Sequence, residues 1–356
     1  MTTIDVCFAT NRDLAELPGG ATTFGARFNA AGPHVFRVGC AEVALVGGQY
    51  QPGLVRLAPE RLVAEDDVLP PLFGSEQVFA RLKARMQAEG SDLLILLHGF
   101  ATDFTMSLAR AAELAHRWGG DRPMPVFVFS WPSDGATRPR WRYGMDRADA
   151  ASSGLAMARA IAAMLEFLAK VRSGRNDCGQ RVHLVAHSMG NWALRHAVQG
   201  LRTILDCDRL PRIFANVFLM AADEDDDALN VDHKLAPLDR LAGAIHVYYA
   251  KSDRALVISD LTKGNPDRLG SAGPRDRGRL GDRIVCIDCS EVAWTGLGDG
   301  DHQYWRARPE VVRDARTVLA GHPADMVPGR RWSPSDRSYR ILADPTLAAA
   351  TAGAAA

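Results

Sequence analysis

Residues 181–198 read RVHLVAHSMGNWALRHAV, and the reading of this stretch decides the fold. Val182, Leu184, Val185 and Ala186 make a short apolar run containing two β-branched residues, which predicts a buried strand. Asn191 to Val198 reads as a helix that Met189 and Gly190 open. Ser188 therefore falls on a sharp strand-to-helix turn. A residue on such a turn adopts a strained backbone conformation. Strain of this kind survives only where the surroundings hold it, and it marks working sites.

Working outward, apolar runs and helical stretches alternate. DLLILL (92–97) precedes the helix-like DFTMSLARAAELAHRW (103–118), and PVFVFS (125–130) precedes the amphipathic AASSGLAMARAIAAMLEFLAKV (150–171), read as one long helix. After the serine strand come ANVFLMA (215–221), AIHVYYA (244–250) and DRIVCID (282–288), and PEVVRDARTVL (309–319) closes the pattern as a helix. Continuous apolar strands alternating with helices predict an α/β fold with a mostly parallel central sheet and helices on both faces. Residues 1–90 differ: TIDVCFAT, AEVALV and LVRLAP are short strands split by Gly and Pro, and suit an antiparallel N-terminal entry to the sheet. No repeat or linker appears, so residues 1–320 are read as one domain, with 321–356 as a Pro-, Arg- and Ala-rich tail expected to pack poorly.

The chain has 356 residues, 47% of them hydrophobic, and a formal net charge of zero. Neither nucleic acid nor an anionic membrane is suggested as a partner. The start MTTIDVCFATNR lacks a basic segment followed by an apolar run, and no stretch approaches the ~20 apolar residues of a membrane span. The expectation is a cytoplasmic protein with no membrane anchor. Its six cysteines then read as reduced core thiols; Cys286 and Cys289 form C-x-x-C, but in an apparent strand and without a second pair to complete a zinc site. No metal or other cofactor is expected, and the oligomeric state is left open.

Residues 186–190, A-H-S-M-G, match the nucleophile turn G-x-S-x-G with Ala186 in place of the first glycine. A serine hydroxyl needs a base, and the base needs an acid to orient it. In this topology the partners follow in the order Ser, Asp/Glu, His on loops after later strands. His302, in the glycine-rich GLGDGDHQYW (296–305), is the candidate base, with His322 as rival; His183, His187, His196 and His246 lie on strands or a helix and read as packed. Asp253 in YYAKSDRAL is the candidate acid, with Asp223, which opens the DEDDD run (223–227), as rival; that run reads as a solvated loop. Oxyanion donors are expected from the N–H of Met189 and from H-G-F (98–100), through Phe100 or Ala101.

Taken together, these motifs resemble the α/β-hydrolase superfamily, and more closely a bacterial family of uncharacterised esterase/lipase-superfamily proteins. The elements that carry the resemblance are Ala9-Thr10-Asn11-Arg12, H-G-F (98–100), F-S-W-P-S (129–133), A-H-S-M-G (186–190), the acidic turn (223–227), Ser252-Asp253, and His302 with Tyr304, spanning roughly residues 1–320. The resemblance implies an α/β-hydrolase fold with Ser188 as nucleophile, Asp253 as acid and His302 as base. The expected activity is carboxylesterase-like hydrolysis of a small-molecule acyl ester. An acyltransferase or thioesterase with the same triad, or a catalytically silent scaffold, are the alternatives.

Trp131, Tyr143 and Ala101 are candidate pocket residues, because ligands of open α/β sheets bind beyond the carboxyl ends of the strands. After Asp253, the helical ALVISDLTKG (255–264) is expected beside the site, and the Arg/Gly/Pro remainder to residue 282 as a mobile loop.

Overall fold

The computed structural model describes residues 2–58, 74–138, 141–173, 178–205, 210–253, 255–256, 267–293 and 302–347. The N-terminal strands are β1 (Thr2–Thr10), β2 (Arg12–Glu16), β3 (Thr22–Phe28), β4 (Arg37–Val46) and β5 (Gln49–Leu57). Then come β6 (Leu93–Leu97), β7 (Val126–Ser130), β8 (Val182–His187), β9 (Phe214–Met220), β10 (Ala242–Tyr249), β11 (Ile284–Asp288), β12 (Arg330–Ser333) and β13 (Ser338–Ile341). Eleven strands form one sheet in the order β12-β13-β11-β10-β9-β8-β6-β7-β1-β4-β5, while β2 and β3 pair as a separate ribbon. The run from β13 to β1 is parallel. Within this sheet, antiparallel pairing is confined to β1-β4-β5 at one edge and β12-β13 at the other.

The central strands are buried on both faces, which is why their sequences are continuous rather than alternating. Along β6, Leu93, Ile95 and Leu97 enter one core cluster and Leu94 and Leu96 the other, as the two-residue period of a strand requires. On the first face lie α1 (Ser75–Glu89), α4 (Gly154–Ser173) and α5 (Gly190–Leu205), through Phe79, Met157, Met164, Leu194 and Leu201. On the second lie α2 (Phe104–Gly119) and α6 (Pro309–Leu319), through Leu108, Trp118, Val311 and Val318.

Four expectations need correction. The long helix is broken at Ser153 into α3 (Trp141–Ser152) and α4, where Asn11 Nδ2 donates to Ser153 Oγ at 3.0 Å and Gly154 packs directly on His196 of α5. The tail is built in as far as residue 347: β13 joins β11, and buried Arg330 pairs with buried Asp314 of α6 at 2.6 Å. Residues 267–279 are anchored rather than loose, with Arg268 wholly buried and Arg277 donating to Ala272 O and Asp336 O. Residues 257–264 of the expected helix lie outside the described residues. Finally, Cys7 and Cys40 are bonded as a disulfide, not free thiols. They face each other across the antiparallel β1-β4 ladder, where directly opposed residues come within bonding range. Cys286 and Cys289 are free and buried, and burial raises both thiol pKa values.

The sheet order positions the site. From β6 the chain steps to β7 on one side, then returns to place β8 on the other, and β9, β10 and β11 continue outward from β8. The winding direction thus reverses at the β6/β8 junction. A crevice opens outside the carboxyl ends of strands at such a reversal, and both the 98–103 loop and the Ser188 turn leave their strands there. Among the described residues, no helix is long and apolar enough to cross a membrane.

Candidate active site

Ser188 is the first residue after β8, and its φ of +53° places a non-glycine residue in the left-handed region. The turn is held on both sides. Its N–H donates to Met220 O at 2.9 Å, and its C=O accepts from Asn191 N, Asn191 Nδ2 and Asp223 N at 3.0–3.1 Å. Two glycines make the approach possible. A Cβ on Gly190 would meet the carbonyl oxygens of Leu97 and His98, and one on Gly99 would lie 2.9 Å from the Ser188 Cβ. Ala186 fits the first motif position because its small side chain is wholly buried between β6 and β9. Ser188 Oγ makes no hydrogen bond among the described residues and is not sealed in, although the residue is only 6% exposed.

His302 and Asp253 come together over this turn. Asp253 follows β10, is fully buried, and its Oδ2 accepts from His302 Nδ1 at 2.8 Å. Asp253 Oδ1 also accepts from Leu256 N at 3.3 Å. The His302 ring packs against that of His187, which precedes the serine, with centroids 4.9 Å apart, and His302 O contacts His187 Nε2 at 3.2 Å. His187 itself is held neutral, its pKa pushed well down by burial and by the neighbouring His302. The rival base His322 lies at the other end of the sheet: it follows Gly321, which packs on Arg181 beside the first residue of β8.

The rival acid Asp223 is also near the serine, its N–H donating to Ser188 O at 3.1 Å. Its Oδ2 accepts from Tyr143 Oη, Arg147 lies 3.9 Å away, and Arg268 approaches Oδ1 at 3.6 Å. The DEDDD run is not a solvated loop. Asp223, Glu224 and Asp226 are buried, and the run is matched by cations: Glu224 by Arg195 at 3.1 Å, Asp225 by Arg268 at 2.8 Å and Lys234 at 2.9 Å, and Asp226 by Arg275 at 2.6 Å. Burial raises the Glu224 carboxyl to about 7 against the pull of Arg195. The arginines come from α5 and from residues 268–275, far away in sequence, so no local pattern announced them; only Lys234 is a near neighbour in the chain. The carboxylates are committed to arginine and lysine rather than arranged around an ion. Among the described residues, the group close enough to share an ion is Asp5 with Cys7 and Cys40, whose sulfurs are bonded to each other.

The donors expected of the 98–101 loop can be separated. The Ala101 N–H is already committed, to Asp146 Oδ2 at 3.3 Å. The N–H groups of Phe100 and Met189 meet no protein acceptor among the described residues. Gly99 O contacts His98 Nδ1 at 2.9 Å; a carbonyl only accepts, so His98 carries its proton on Nδ1. That bond turns the Gly99–Phe100 peptide so that its N–H faces the opposite way. His98 is stacked on Trp131 at 4.7 Å, and burial lowers its pKa to about 3.

Of the expected pocket residues, Trp131 is wholly buried and donates from Nε1 to His98 O at 3.0 Å, so it supports the loop from beneath and does not line a cleft. Ala101, at φ +52°, is buried as well. Tyr143 is half-buried, its ring edge on Phe100 at 5.6 Å. Sequence reasoning left Ser133, Asp146 and Arg12 without a role, although Arg12 and Ser133 belong to the motifs singled out; they tie the 99–103 loop down.

Comparison with known proteins gives two findings. A family profile described as "Alpha/beta hydrolase of unknown function (DUF900)" matches residues 75–321. Among solved structures, a Trichoderma reesei cutinase in complex with a C11Y4 phosphonate inhibitor is similar at 12% identity, with 69% of this chain and 85% of that chain covered and a TM-score of 0.25. No curated protein matches.

Proposed function

We propose that this chain, which belongs to the α/β-hydrolase family whose profile it matches, is a serine hydrolase of acyl esters working through Ser188, His302 and Asp253. The observation that carries this reading is the 2.8 Å bond from His302 Nδ1 to buried Asp253, beside a serine held at φ +53° on the β8–α5 turn. Asp253 keeps the proton on Nδ1, which leaves Nε2 as the basic atom. Ser188 Oγ attacks the acyl carbonyl carbon while Nε2 takes its proton. The carbonyl π pair moves to oxygen, and that oxyanion is met by the N–H groups of Phe100 and Met189. Collapse re-forms the carbonyl and breaks the bond to the alcohol, which leaves with the proton from Nε2. Water then repeats the sequence on the acyl-enzyme: it attacks, gives its proton to Nε2, and frees the acid and Ser188. Ser188 Oγ and His302 are not hydrogen-bonded in the free protein, and catalytic bonds of this kind tighten when substrate binds.

The test is labelling by a fluorophosphonate probe together with hydrolysis of model esters graded by acyl length. Wild type should label and turn over. Ser188→Ala should neither label nor retain more than a ~10⁻⁶ fraction of the rate, the usual cost of losing a triad nucleophile. Retention of over a tenth of the activity by a folded Ser188→Ala would overturn the assignment. A chelator should change nothing, and the acyl-length panel then defines the substrate class.

A further inference from the structure

A buried polar network beside the 99–102 loop centres on Arg12, which is wholly buried although, among the described residues, its guanidinium hydrogen-bonds to no carboxylate. Nε donates to Ser130 Oγ at 3.0 Å, one terminal nitrogen to Ser133 O at 2.8 Å and Gly25 O at 3.0 Å, and the other to Thr102 O at 2.9 Å. Burial lowers its pKa to about 9, against the through-space pull of Asp103 and Asp146. A charge held in this way is costly to bury. The rigid fork of guanidinium donors joins three chain segments that a single point charge could not.

Two of those segments carry the loop beside Ser188. Thr102 N donates to Ser133 Oγ at 3.0 Å, and Ser133 Oγ donates on to Asp146 Oδ2. The same Asp146 oxygen accepts from Ala101 N. Thr102 Oγ1 donates to Phe100 O at 3.2 Å. The Phe100–Ala101 and Ala101–Thr102 peptides are therefore fixed, with Ala101 strained at φ +52° between them. The peptide immediately before them ends in the free Phe100 N–H and abuts the serine through Gly99.

We propose that Arg12 is a positioning residue: through Thr102 and Ser133 it holds the 99–102 loop so that the Phe100 N–H is set as an oxyanion donor before substrate arrives. This rests on the serine-hydrolase reading above. Arg12 touches no reacting atom; it acts through the strained loop, which without the brace relaxes away from φ +52°.

The experiment compares Arg12→Lys and Ser133→Ala with wild type in steady-state ester hydrolysis. Each should lower kcat by about 10²-fold, the cost of displacing one preorganised donor. KM, and the acid-side midpoint of the kcat/KM profile, should stay at wild-type values, because the serine, base and acid are untouched. A general loosening of the fold would move KM and that midpoint along with kcat. Wild-type kcat in a folded Ser133→Ala overturns the brace, as does a loss of kcat accompanied by a shifted midpoint. Should Arg12→Lys fail to fold, Ser133→Ala decides alone. The two readings fail separately. Turnover surviving in Ser188→Ala removes the hydrolase reading. Turnover lost in Ser188→Ala but undiminished in Ser133→Ala removes only the brace.

Discussion

Replacing Asp253 by Asn is the sharpest probe of the acid, because the structure dictates how the amide must sit. Oδ1 of Asp253 accepts from Leu256 N, and Oδ2 accepts from His302 Nδ1. An amide has one acceptor end and one donor end. Its oxygen is claimed by the Leu256 N–H, so its NH2 must face His302 Nδ1. That group can only donate, so the imidazole proton is driven from Nδ1 to Nε2, and the nitrogen proposed as the base can no longer accept a proton. The side chain is fully buried, so water cannot enter to restore the tautomer. A wrong-tautomer triad loses ~10⁴ in kcat, or about 5.4 kcal/mol in barrier at 1.36 kcal/mol per decade. Asp223→Asn should behave differently. It keeps the backbone N–H bonded to Ser188 O and alters the contacts to Tyr143, Arg147 and Arg268; it should cost no more than about one decade. The assay is kcat/KM on a model ester, with circular dichroism to show that both variants fold. A folded Asp253→Asn within tenfold of wild type, or an Asp223→Asn that loses more, would refute the assignment of the acid.

Further predictions concern pH and thiols. kcat/KM should rise from acid toward neutral pH as one group deprotonates; His302→Ala should lose most activity and its residual rate should show no such rise. His246, wholly within the protein and stacked on Phe218, has its pKa lowered to about 3 by burial. Between about 3 and 6.5 the unfolded chain therefore binds a proton there that the folded chain does not, and stability falls as pH drops through that window, by up to ~1.4 kcal/mol per pH unit for this one group. His246→Gln should flatten the dependence by that one proton in denaturant titrations run from pH 4 to 7; an unchanged slope would contradict it. Thiol titration of the unreduced, denatured protein should find four reactive thiols of six, Cys7 and Cys40 being paired; six would contradict the disulfide.

The succession of strands along the chain and the serine turn could be read from the sequence because each is a local signal. A strand buried on both faces must be continuously apolar, as in LLILL, and a nucleophile turn needs small residues at fixed offsets, as in A-H-S-M-G. Both are consequences of backbone geometry over a few residues. Which of Asp253 and Asp223 meets the His302 ring was not legible in the chain, because both follow neighbouring strands; the fold sets Asp253 against His302 and Asp223 against Tyr143 and arginines. The same holds for Ala101, whose N–H is taken by Asp146 45 residues away, and for Trp131, an aromatic at a strand's carboxyl end that the fold turns inward. The DEDDD run looked solvated because its charges are dense and its arginine partners are distant in sequence. Arg12 stood out as part of a motif but without a role, because that role rests on four acceptors from 13 to 121 residues away. Local rules act through the chain and leave their mark in spacing. Partners brought together by the packing of separate strands leave none, since many sequence separations can supply the same hydrogen bond.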